Sequence, residues 1–166
     1  MASPPSETRA ARPWAIGLAL WLAELPAPLR RRTLRRLAVR GEVADRAEQF
    51  PQQRDRWLRA LARGRGRGAV DALLGGLDDE AVLALWCCAP SAGRRRIERW
   101  AREDRSRQIP VSGRDLLAEG LSGPALGAGL ARIRAAWLDG AVRSREEALA
   151  LAREIVGRER RRAHRR

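Results

Sequence analysis

A chain of 166 residues, 45% of them apolar, is long enough for one helical domain with its own core or two small ones sharing a face, which excludes a wholly disordered polymer. Aromatics make up only 4%, six of the seven being Trp, and with no Tyr and few β-branched residues there is little to build strands from. The 34 basic residues, every one of them Arg, outweigh 20 acidic ones, and a net charge of +14 draws in polyanions such as nucleic acid or anionic membrane.

The expected fold class is therefore all-α, with a multi-helix body followed by a small helical tail domain. Arg grips phosphate through a flat two-pronged fork, but codon bias in a GC-rich genome is the favoured account of the choice of Arg over Lys. Residues 1–12 are rich in Pro and Ser without periodicity and are expected to be a disordered lead. A first helix is expected from about Pro13 to Leu25, with Trp14, Leu18, Trp21, Leu22 and Leu25 as its apolar stripe. That run is far short of the ~20 residues of a membrane span. Arg9 and Arg12 in front of it imitate a secretory signal, but Glu24 and two prolines follow without a small-x-small cleavage pattern. A cytoplasmic location and no membrane partner are expected.

A second helix is expected to reach about Arg40, with Leu34, Leu37 and Ala38 on one arc and Arg31, Arg32, Arg35 and Arg36 on another. Two short helices follow, at about Val43 to Gln49 and Pro51 to Arg63, the second anchored by Trp57, Leu58 and Leu61. The alternation Gly64-Arg65-Gly66-Arg67-Gly68 is similar to RNA-binding arginine-glycine tracts, but one short instance predicts a basic inter-helix loop. Asp78 is placed to cap a helix carrying Val82, Leu85 and Trp86, and Ser91 to cap the next, whose core side is Ile97, Trp100 and Ala101. Glu98 with Arg102 and Glu103 with Arg107 lie four apart, the pattern of a solvated face. Each Trp falls in an apolar stripe, so all six are expected as core anchors rather than base-stacking platforms. Cys87 and Cys88 sit in an apolar run with a single His in the whole chain. That excludes a structural metal site and leaves buried thiols in a reducing compartment.

After an extended stretch from Gln108 to Val111, Ser112 or Gly113 opens a short helix with Leu116 and Leu117, which Gly120 stops. Gly123-Pro124 starts the next, striped by Leu126, Leu130, Ile133 and Trp137 and ended by Gly140. Ser144-Arg145-Glu146-Glu147 reads as a capping box for a last helix burying Leu149, Ala152, Ile155 and Val156. The organisation expected is a body over 13–107, a tail domain over 108–157 and a basic disordered tail over 158–166.

Four pieces of this C-terminal region occur in a fixed order: Ser112-Gly113-Arg114-Asp115-Leu116 (with Gly120-Leu121 after it), Gly123-Pro124-Ala125-Leu126-Gly127, Trp137-Leu138-Asp139-Gly140 and Arg145-Glu146-Glu147-Ala148. In that order and spacing they resemble the tail of class II tRNA nucleotidyltransferases (CCA-adding enzymes) and the related bacterial poly(A) polymerases. The likeness spans roughly residues 13 to 157, with the body matching less specifically. It implies an RNA-binding C-terminal portion that positions tRNA while a nucleotidyltransferase head extends the 3′ end. That head is expected to be encoded separately and supplied in trans, or lost through truncation of the gene model. The family's chemistry uses a Gly-Ser loop and an Asp-x-Asp pair holding divalent metal, and neither occurs here. No cofactor is therefore expected in this chain, with Mg only in the missing head, and the chain alone is expected to be inactive. Glu103-Asp104-Arg105-Ser106-Arg107 matches the family's Glu-Asp-x-x-Arg neck string but lies after the body helices, where the string is read as coincidence. A lone His164 and the absence of Lys leave neither a nucleophilic triad nor a phosphate loop.

The residues expected to contact RNA are Arg31, Arg32, Arg35, Arg36, Arg114, Arg132, Arg134 and Gly123. A helix start at Gly123-Pro124 offers free backbone N–H groups and the positive dipole end, and glycine lets a sugar-phosphate chain approach. Gly123 and Gly127 equally suit a tight turn and close helix packing, and Asp115 is expected to cap or to pair with an arginine. Two other functions fit the same charge: a stand-alone basic module binding any nucleic acid, and a helical scaffold for an acidic protein partner.

Overall fold

The computed structural model describes residues 13–163. The expected lead over 1–12 and the last three residues of the expected basic tail lie outside the described residues. Within them the chain is all-helical, with nine α-helices, one π-helical turn and no strand. In chain order the helices are α1 Pro13–Ala23, α2 Ala27–Arg36, α3 Glu42–Arg63, α4 Gly66–Leu74, α5 Asp79–Cys88, α6 Ser91–Arg99, α7 Gly113–Ala118, α8 Pro124–Leu138 and α9 Arg145–Ala163. The π-helical turn, Trp100–Asp104, follows α6 directly.

Local chemistry accounts for most of the boundaries. Asp78 accepts the Ala81 amide at 2.8 Å and caps α5. Ser112 and Asp115 form a full capping box at α7, and Pro124 stands in the first turn of α8. The ends of α2, α7 and α8 share one device: Val39, Leu121 and Ala141 donate to the carbonyls of Leu34, Leu116 and Ala136 at 2.9 to 3.0 Å. The residue between helix and donor is left-handed in each case: Gly120, Gly140 and, at α2, Ala38 with φ 52°. This turn ends α2 at Arg36 rather than near Arg40, and it leaves Leu37 exposed instead of on the buried arc with Leu34.

Two spans depart from the sequence-based expectation at a local helix breaker. Residues 42–63 form one helix with Pro51 inside it, where two helices were expected. Only Gly64 and Arg65 of the glycine-rich stretch form the inter-helix loop, because α4 already begins at Gly66. Ser91 is the first residue of α6 rather than its cap, and α9 runs on through Ala163 where a disordered tail was expected from Arg158.

The chain divides into two units, residues 13–60 with 77–94 and residues 61–76 with 95–163. In the first, α1 packs on α5. Ile16, Ala23, Phe50 and Ala84 bury one face of α1, while Leu22 meets Leu34 of α2 and Ala47 of α3 on the next. In the second, α8 lies against α4, α7 and α9. Its core holds Val111, Leu116, Leu121, Ile133, Val142, Ala148, Ala152, Ile155 and Val156. Residues 61–76 and 95–107, read from sequence as body, thus share a unit with the expected tail. No helix among the described residues is long and apolar enough to cross a membrane.

The Trp residues are not uniformly core anchors. Trp100 is 4% exposed, but Trp14 is 58% and Trp21 59% exposed. The stripe expected on α1 is rotated: Ala15, Ile16, Leu22 and Ala23 turn inward, and the two indoles, seven residues apart, share the outer face.

Candidate nucleic-acid interface

The eight residues expected at RNA fall into two groups, four in each unit. On α2, helical phase puts Arg32, Arg35 and Arg36 on one exposed arc, at separations of three and four residues. None of the three makes an ion pair or side-chain hydrogen bond with another described residue. Arg31 is also exposed but is bound to Glu48 of α3. The fifth arginine of the run, Arg30, behaves oppositely: it is buried and donates to the Leu25 carbonyl at 2.9 Å, closing the end of the first helix–turn. Arg35 and Arg36 lie in the last turn of α2, where their charge offsets the negative end of the helix dipole. The positive charge of this arc therefore comes from the guanidiniums and not from a helix N-terminus.

In the second unit, Arg114 on α7 and Arg132 on α8 are exposed. Gly123 caps α8 with φ 54° and has open space where a side chain would stand. Arg134 is elsewhere. Two residues along a helix turn the side chain by about 200°, which puts Arg134 on the flank opposite Arg132. There it braces the interior. Its Nε and Nη2 donate to the two Asp71 carboxylate oxygens at 2.6 and 2.9 Å, Nη2 also to the Asp104 carbonyl at 2.8 Å, and Nη1 to the Arg107 carbonyl at 2.7 Å. The Asp71 hydrogen bonds hold its guanidinium more firmly protonated than usual. Four of its five N–H groups are engaged inside the fold, so Arg134 acts there as a structural bracket.

The glycine–arginine stretch is a second bracket. Gly68 donates its amide to Asp139 at 2.9 Å, so the turn after α8 caps α4. Arg67 reaches in the other direction, Nε to Asp104 at 2.9 Å and Nη2 to Glu103 at 2.6 Å. Asp104 has no exposed surface, and its carboxylate raises the Arg67 pKa further. Glu103 is thus paired with α4 and not with Arg107 four residues on. Arg96 bonds the Leu61 and Gly64 carbonyls, closing the end of α3.

The C-terminal segments that begin at Ser112 and Arg145 have structural duties. Asp115 takes the Ser112 amide at 2.7 Å and hydroxyl at 2.8 Å, and Arg145 binds its other oxygen at 2.6 Å. Those partners hold the Asp115 carboxyl below its ordinary range, the Ser112 amide first. The two segments are thereby joined through one carboxylate. At α9 the capping box is modified: Ser144 accepts the Glu147 amide at 3.2 Å, but Glu147 reaches back to the amide of Arg143, one residue before the cap.

The acidic run Asp78-Asp79-Glu80 does not resemble a metal site. Asp78 caps α5, and both Asp78 and Glu80 pair with Arg46 at 3.0 Å. No group of three or more His, Cys, Asp or Glu among the described residues is placed to hold a metal ion. Cys87 and Cys88 are half-buried free thiols, and burial pushes the Cys88 pKa up, away from the reactive thiolate.

No protein-family model matches this chain, and no curated protein or solved structure matches it either.

Proposed function

We propose that this chain binds RNA, with folded tRNA as its preferred ligand, as the C-terminal portion of a tRNA nucleotidyltransferase- or poly(A) polymerase-like protein. In that role it positions tRNA in the cytoplasm while a separate head, using Mg, extends the 3′ end. The part played by this chain is binding and orientation, and no residue here is assigned to the chemistry.

The observation that carries the reading is the arc of Arg32, Arg35 and Arg36, three exposed guanidiniums on one face of α2 without a carboxylate partner among the described residues. Arginines that only solubilise a surface are commonly interleaved with acids, as Arg31, Arg46 and Arg54 are here. An arc with no acidic partner among the described residues, in a chain of net charge +14, fits a phosphate backbone, which arginine forks grip two oxygens at a time. Arg114 and Arg132 add donors in the second unit, and the open space at Gly123 leaves the start of α8 accessible.

Hydroxyl-radical footprinting of tRNA tests this. The expected result is protection of backbone riboses along one side of the elbow or acceptor stem. Protection spread evenly over the molecule points instead to a basic module that reads charge without shape, and no protection removes the RNA reading.

A further inference from the structure

The string Glu103-Asp104-Arg105-Ser106-Arg107 has no part in the binding surface so far, yet the fold splits it in two. Its acidic half turns inward onto Arg67. Its basic half is exposed and lies on indole rings: the Arg105 guanidinium is 5.6 Å from the Trp100 ring centre, and that of Arg107 is 5.9 Å from Trp137. Both distances are within the roughly 6 Å reach of a cation–π contact.

The backbone between these arginines is pinned. Arg134 donates to the carbonyls of Asp104 and Arg107, and Asp71 fixes Arg134 from behind. Asp71 also accepts the Trp100 indole N–H at 2.9 Å, so one carboxylate orients both the bracket and one of the two platforms. Arg107 makes no ion pair with a carboxylate among the described residues. A long side chain normally loses rotamer freedom when it fixes a ligand, and one already laid on a ring over an anchored backbone loses less. Stacking covers a guanidinium face and leaves its N–H edge, the part that meets phosphate oxygens, pointing outward.

We propose that Arg107, with Arg105 beside it, is a pre-ordered contact for the phosphodiester backbone of RNA, held in place by Trp137, Trp100 and the Arg134–Asp71 bracket. This deepens the RNA reading above and rests on it. The role is backbone gripping and involves no recognition of a base.

The test compares Arg107→Ala with Arg153→Ala in the full chain. Both remove one positive charge from the same unit, but Arg153 is paired with Glu119 at 2.9 Å. Affinity is read against folded tRNA and against an equal-length RNA duplex, over a range of salt. Arg107→Ala is expected to weaken binding by about 5- to 10-fold at low salt and to reduce the salt slope by about one, with Arg153→Ala at about 2-fold or less. Trp137→Leu keeps an apolar side chain under Arg107 and is expected to cost about 2- to 5-fold. Equal effects of the two Arg→Ala variants overturn the proposal, as does a wild-type chain that binds neither RNA at low salt. If the wild type holds duplex as well as tRNA while Arg107→Ala alone weakens both, the preference for tRNA fails and the Arg107 contact stands.

Discussion

Asp139, just past the end of α8, accepts the Gly68 amide at 2.9 Å and so caps α4 from 71 residues away. The cap requires the two helices to lie nearly in backbone contact. A Cβ on Gly68 would stand 2.6 Å from the Ala135 Cα and 2.7 Å from its carbonyl oxygen, and one on Gly66 would overlap the Asp139 carboxylate. The spacing Gly-x-Gly is therefore a packing requirement of α4 on α8.

Gly68→Ala must push α4 and α8 apart, because the obstructing atoms are backbone and have no rotamer to yield. Urea denaturation is expected to show a loss of about 2–3 kcal/mol, while Gly76→Ala, with its nearest neighbour at 3.9 Å, should cost much less. A Gly68→Ala chain as stable as the wild type would refute the close approach.

The bracket at Arg134 predicts strong coupling. Arg134→Leu strips the donors from the half-buried Asp71 and from the carbonyls of residues 104 and 107, with an expected loss of about 3 kcal/mol. Asp71→Leu alone should cost a similar amount, and the double variant clearly less than the sum. Additive losses in chemical denaturation would show that the two side chains are not acting on each other.

Much of this architecture is legible in the sequence, and the remainder fails for identifiable reasons. Asp78, Ser112, Gly120, Pro124 and Gly140 announce helix ends through their own backbone chemistry, and each acts where such local signals place it. Pro51 and Gly66 send equally strong local signals that are overridden, because α3 continues through the first and α8 closes over the second. For the candidate interface, helical phase alone places Arg32, Arg35 and Arg36 together. It cannot reveal that Arg134 has a carboxylate partner 63 residues away, nor that Arg107 rests on Trp137. Buried Arg–Asp pairs are the main feature that a count of surface charge misreads.

The capping box at α7 gives the chain an acid-sensitive element. Asp115 has its pKa lowered by the Ser112 amide and hydroxyl and by Arg145, so its ionised form is favoured in the folded state. The resulting stability is fully present above the unfolded carboxyl pKa of about 4 and is lost as pH falls through the lower folded value. Asp115→Asn should make the melting temperature less dependent on pH below about 4 than in the wild type, and an unchanged acid limb would argue against the Ser112–Asp115–Arg145 arrangement.

The six tryptophans separate into distinct classes. Trp100→Ala empties a buried site and removes the donor to Asp71, so a loss of about 3–5 kcal/mol is expected. Trp14→Ser and Trp21→Ser remove side chains that are already more than half in water, and each should change stability by less than about 1 kcal/mol. Thermal melting of the three variants decides whether the outer face of α1 is solvent-facing as described.

The most direct test of the central claim is a competition binding assay in which labelled folded tRNA is displaced by unlabelled tRNA, by RNA duplex and by single-stranded RNA of equal length, at two salt concentrations. The account predicts binding that weakens as salt rises, and displacement by unlabelled tRNA at lower concentration than by either of the others. Equal displacement by all three would contradict the preference for tRNA, and no binding even at low salt would contradict RNA binding altogether.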